Sequence, residues 1–70
     1  MLKIKELKHG QVFYAMDNDG QDYSFKAWGE PTLVNGIWTV EAEDRGNYSY
    51  TFTENDEAIL FLTDSLENIQ

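Results

Sequence analysis

Seventy residues without a cysteine make one small domain, residues 1–70, with no disulfide to staple it and no thiolate for redox chemistry or metal binding. The net charge of −8 repels phosphate and attracts basic surfaces, which points away from direct nucleic-acid binding. Aromatic residues at 14% exclude an acidic disordered segment, which would be poor in them. A folded acidic domain remains.

In chain order, a charged stretch at residues 5–9 ends at Gly10, and Val12-Phe13-Tyr14-Ala15-Met16 is the first strand candidate. Asp17-Asn18-Asp19-Gly20 follows as the strongest hairpin turn, since Asp-Gly supplies the positive φ that tight turns need. Residues 22–28 form the next strand, with Tyr23, Phe25 and Ala27 on one face and Ser24, Lys26 and Trp28 on the other. Gly29-Glu30-Pro31 is expected to break it, and Asn35-Gly36 closes the following loop. Residues 37–43 alternate well, Asp44-Arg45-Gly46-Asn47 makes another hairpin turn, and Tyr48, Tyr50 and Phe52 alternate with Ser49 and Thr51. Thr53 with Asp56 three residues on resembles a helix-start capping signal, yet the short apolar run 58–62 ends in turn formers and reads as a fifth strand. The tail, residues 64–70, reads as one helical turn or a frayed end.

The pattern predicts a mainly β fold: a five-stranded antiparallel meander, closed as a small barrel or strongly bent sheet, with a short C-terminal helical turn as a further element. The predicted core is Tyr14, Tyr23, Phe25, Trp38, Val40, Tyr50, Phe52 and Leu60. A core this small gains from a second subunit, because a chain of this length buries only about 60% of its unfolded surface. A homodimer is therefore expected, with Phe13, Trp28, Ile59 and Phe61 at its interface. Met1 runs directly into Leu2-Lys3-Ile4-Lys5 without the apolar stretch of a signal peptide, and residues 58–62 are too few to span a bilayer. The expected location is the cytoplasm, with no membrane partner.

The charge is lopsided. Residues 1–26 balance Lys3, Lys5, Lys8 and Lys26 against Glu6, Asp17, Asp19 and Asp22, whereas residues 27–70 set nine acids against Arg45 alone. Those acids have almost no cation of their own half to pair with. Glu41 and Glu43 project from one strand face about 6.6 Å apart, two strand rises, while phosphates advance about 3.4 Å per nucleotide. A row of strand carboxylates can thus imitate alternate phosphates. Glu41, Glu43, Asp44, Glu54, Asp56, Glu57, Asp64 and Glu67 are accordingly the candidate partner-binding residues, and the partner they fit is a basic nucleic-acid-binding protein.

Other chemistries fit less well. Asp17, Asp19 and Asp22 depart from a calcium loop, because Gly20 falls at its fourth position and Asp22 where its glycine should be. His9 is the only histidine and reads as a solvated turn residue. Paired acids without a nucleophile or an evident pocket do not suggest an enzyme, and no cofactor is implied.

With the opening Ile4-Lys5-Glu6-Leu7-Lys8-His9-Gly10-Gln11-Val12-Phe13, the lack of cysteine and the lopsided acidity, the chain resembles small acidic host-takeover proteins of tailed phages. More narrowly, it resembles those that imitate DNA and occupy host nucleic-acid-binding proteins, inhibitors of the bacterial nucleoid protein HU among them. The resemblance is one of overall character and carries over no individual residue. It implies a non-enzymatic, dimeric inhibitor that competes with DNA inside an infected bacterial host. Two other classes stay open: an interaction module that binds a folded partner through exposed aromatics, and an anti-defence factor that blocks a nuclease.

Overall fold

The computed structural model describes residues 2–62. They form one open antiparallel sheet of five strands, β1 (Val12–Met16), β2 (Asp22–Val34), β3 (Ile37–Glu43), β4 (Ser49–Thr53) and β5 (Leu60–Phe61), in the order β4-β3-β2-β1-β5. The first four strands make the expected meander, and β5 crosses to the far edge beside β1. Its connection is the 3-10 segment Glu54–Ile59. The sheet is bent: Phe13 of β1 and Phe52 of β4 lie three strand positions apart, about 14 Å in a flat sheet, yet their rings touch on the inner face.

Turn chemistry sets the register. Asn35 and Gly36 both have positive φ, at 52° and 81°, and link the opposed pair Val34 and Ile37 in a two-residue hairpin whose twist matches that of its strands. The turns at 17–21 and 44–48 share another design, described below.

The core centres on three rings. Phe13 lies 5.9 Å from Phe25 and 5.4 Å from Phe52, and Phe25 lies 4.9 Å from Phe52, the latter two contacts edge-on, an arrangement aromatic quadrupoles favour. Ala15, Ala27, Val40, Ala42 and Leu60 fill around them. The N-terminal segment closes the core: a 3-10 turn at Ile4–Glu6 delivers Ile4 into it, with Leu2 and Leu7 on either side. The Ile4 N–H donates to Glu57 Oε2 at 2.8 Å, tying this turn to the 3-10 segment.

Several expectations are corrected. Phe13, assigned to a dimer interface, is fully buried, at 0% exposure. It stands directly opposite Phe25, and opposed residues of an antiparallel pair share a face. Every residue of β1 is apolar, so alternation offered no contrast to show which face turns inward. Tyr14 consequently lies on the outer face, half-buried and stacked on Phe61 at 5.7 Å. Tyr23 and Tyr50 keep the inward alternation of Phe25 and Phe52 but are exposed, near the hairpin end of the sheet. Phe25, Val40, Phe52 and Leu60 are buried as predicted, and Trp38 packs half-buried against them.

Gly29-Glu30-Pro31 does not end β2. Gly29 adopts φ +86° at an irregularity in the β2–β3 register, and the strand continues to Val34. Residues 58–62 are strand only at Leu60–Phe61, because the Thr53–Asp56 capping signal operates. Thr53 Oγ1 accepts the Asn55 N–H at 3.1 Å, and Asp56 Oδ2 accepts the Thr53 N–H at 2.9 Å, starting the 3-10 segment instead. The helical turn expected at 64–70 lies outside the described residues.

Candidate functional site: the acidic hairpin end

Four acids of the second half, Asp44, Glu54, Asp56 and Glu57, do have partners, contrary to the expectation from charge counting. Those partners are chiefly backbone amides. Glu54 Oε1 accepts the Trp38 N–H at 2.7 Å, Asp56 caps Thr53, and Glu57 holds Ile4 while lying 3.7 Å from Lys3 Nζ. Lys5 lines the same shallow recess as Lys3, Trp38, Glu54 and Glu57. Lys3 and Lys5 therefore fold back onto Glu54 and Glu57 of the 3-10 segment. Glu43 is half-buried and stands cross-strand from Lys26; Glu41 is exposed on the outer face between Trp28 and Thr51. Asp64 and Glu67 lie outside the described residues.

Asp44 has a different setting. Its Oδ1 accepts the N–H groups of Gly46 (2.8 Å) and Tyr48 (3.0 Å), and its Oδ2 accepts the Tyr50 hydroxyl at 3.2 Å. The β1–β2 turn repeats this: Asp17 Oδ1 accepts the N–H groups of Asp19 and Gln21, both at 2.9 Å. In each turn the residue three after the aspartate, Gly20 or Asn47, has positive φ and returns its own N–H to the aspartate carbonyl. Backbone donors, of which Tyr48 is the strongest, hold the Asp44 carboxyl below its ordinary range despite an opposing desolvation effect. The same carboxylate holds the Tyr50 hydroxyl above its usual pKa, and hydrogen bonding to Asp17 does likewise for Tyr23.

The two turns emerge at the same end of the sheet. β1 ends at Met16 opposite Asp22, and β3 runs toward that end, finishing with Glu43 opposite Lys26. From Asp22 to Phe25, β2 extends past β3, and Arg45 reaches over the gap to donate from Nε to Ser24 Oγ at 3.2 Å. A cleft of about 660 Å³ lies there, lined by Tyr14, Tyr23, Phe25 and Tyr50 with Asp22, Asp44 and Arg45. Asp22 and Asp44 thus line the cleft with Arg45, and Asp17 and Asp19 lie in the neighbouring turn at the same end of the sheet. Sequence reasoning assigned Asp17, Asp19 and Asp22 to a neutral half; the signal that relocates them is the meander itself, whose first and third hairpin turns fall at the same end of the sheet.

The aromatics divide unevenly. Trp28 is 62% exposed, and its ring meets His9 edge-on at 5.4 Å. His9 is pinned rather than freely solvated, because its Nδ1 accepts the Gly29 N–H at 2.7 Å. Ile59 is exposed and Phe61 half-buried. Leu33, Val34 and Ile37 are exposed near the tip of the β2–β3 hairpin. Among the described residues, no group of three or more histidine and acidic side chains is placed to hold a metal ion, and no helix is long and apolar enough to cross a membrane.

No family model matches the chain, and no curated protein or solved structure matches it either.

Proposed function

We propose that this protein is a non-enzymatic acidic mimic that docks on the nucleic-acid-binding surface of a basic protein and excludes the nucleic acid. One observation carries the reading: two turns of the same design hold Asp17 and Asp44 in fixed positions at one end of the sheet. Carboxylates anchored by backbone amides present charge without ordering long side chains on docking, which removes part of the entropy cost of association. Asp19, Asp22, Glu41 and Glu43 extend the negative surface from that end onto the outer face of β3.

The test is competition. A labelled DNA duplex bound to the nucleoid protein HU is titrated with this protein, and fluorescence anisotropy reports release. The reading expects release by the native protein and little by the variant Asp19→Lys/Glu41→Lys/Glu43→Lys, which leaves the turn-anchoring carboxylates in place. A nuclease as the captured protein would fit the same chemistry and would appear in the same assay with a different basic probe.

A second reading draws on Trp28, Leu33, Val34 and Ile37, exposed along the β2–β3 hairpin. Docking of a folded partner there would be carried by apolar burial. Its complex would resist salt, whereas the mimic's complex would dissociate.

A further inference from the structure

The two edges of the sheet are protected very differently. β5 is only two residues long, one of the ways natural sheets blunt an edge. β4 is five residues long, pairs with β3 in an unbroken register, and belongs to the run Tyr48-Ser49-Tyr50-Thr51-Phe52-Thr53, which has no charge and no proline. In a chain with 26% charged residues this is an edge of high β-propensity that no strand among the described residues covers.

The ladder shows which groups it offers. The Asp44 N–H donates to the Tyr48 carbonyl, so hydrogen-bonded pairs fall at Ala42–Tyr50 and Val40–Phe52, and the alternate pairs point away from β3. Ser49, Thr51 and Thr53 therefore direct their amides and carbonyls to the open side. The Thr53 N–H is taken by Asp56, which leaves the paired groups of Ser49 and Thr51 as the docking site.

We infer that this edge takes an extended segment of a basic protein as a sixth strand, with cationic and apolar residues in alternation. The inference names how the partner engages, and it rests on the proposed reading only in taking that partner to be basic. On the outer face, Ser49 and Thr51 are small and stand beside Glu43 and Glu41. A partner strand would lie two spacings, about 9.6 Å, from β3, within the combined reach of a lysine and a glutamate side chain across those small residues. On the inner face, the exposed ring of Tyr50 offers apolar contact to the intervening residues. Asp44 and Glu54 flank the two ends of β4. That placement disfavours a second copy of this chain, whose antiparallel pairing would bring acid against acid.

The probe is a peptide of alternating lysine and valine, about seven residues long to match a strand, with a control of the same composition in two blocks. Binding is read by anisotropy, and its location by amide chemical shifts. The alternating peptide should bind more tightly than the block peptide and shift the Ser49 and Thr51 amides. Thr51→Pro removes an outward N–H while sparing the β3 ladder, and should weaken binding about tenfold or more. N-methylation of the peptide at its protein-facing amides should do the same with the native chain, covering the case in which the variant fails to fold. Equal binding of both peptides, with shifts confined to residues 17–22, would overturn the edge inference while leaving the acidic docking surface in place. A homodimer that Thr51→Pro dissociates would assign the edge to a second copy and overturn it too. Peptide binding at the edge without release of DNA from HU would support the edge inference and count against the mimic reading alone.

Discussion

Asp17 and Asp44 stand at equivalent positions in two turns that close different hairpins, each carboxylate accepting the N–H groups two and four residues ahead. A single side-chain choice thus does two jobs: it satisfies backbone donors that strand pairing leaves over, and it fixes a negative charge at the sheet end. Stability and surface charge are coupled through these two residues.

That coupling gives a pH dependence with a definite sign. The folded state depresses the Asp44 pKa, so its stabilisation is present above the ordinary aspartate value of about 3.9 and is lost as pH falls through the lower folded value. Asp44→Asn should be less stable than the native chain at neutral pH, with the difference shrinking in acid. Thermal melts from neutral pH down to about pH 3 check this; a constant difference across the range would contradict it.

Phe13→Ala empties the centre of the aromatic cluster and should cost about 3–5 kcal/mol. A 70-residue domain has roughly 4–10 kcal/mol in total, so this variant should lose a large share of its stability and unfold at a much lower urea concentration. Trp28→Ala, at an exposed site, should cost under about 1 kcal/mol. Urea titrations of the two variants decide between Phe13 as core and Phe13 as surface.

Gly29 sits at φ +86° with open space where a Cβ would be. The penalty for substitution is therefore backbone strain alone, about 1–2 kcal/mol for Gly29→Ala. Gly29→Asn should cost less and Gly29→Val more, a rank order that a steric clash would not produce.

Thr53→Ala removes one half of the capping box and should cost about 1 kcal/mol. Hydrogen exchange should quicken at the Asn55 amide, which the Thr53 hydroxyl protects, while β1–β2 amides keep their rates.

Alternation between turn formers made the strands readable at β1 and β3, where the expected and observed limits coincide. It could not orient β1, because Val12-Phe13-Tyr14-Ala15-Met16 lacks polar contrast. It also missed Leu2, Ile4 and Leu7, whose apolar side chains are interleaved with charged residues and enter the core through a 3-10 turn with no strand period. The candidate site was half legible. Glu41 and Asp44 lie where strand and turn chemistry put them, but the company they keep is tertiary. Lys3 and Lys5 fold against the 3-10 segment, and the strand pairing brings the turn that carries Asp17 and Asp19, with Asp22 beside it, to the end where Asp44 lies. Counting charges by chain half has no access to that exchange, because it depends on which hairpins end together.

The most direct measurement is the salt dependence of HU–DNA competition by the native chain and by Asp19→Lys/Glu41→Lys/Glu43→Lys. Screening shortens from about 10 Å at 0.1 M to about 3 Å at 1 M ionic strength. The mimic account predicts strong competition at low salt that falls steeply as salt rises, and a variant that competes weakly at every concentration. Competition by the variant equal to that of the native chain, with the same flat salt response, would show the acidic end to be a solvated surface and contradict the account.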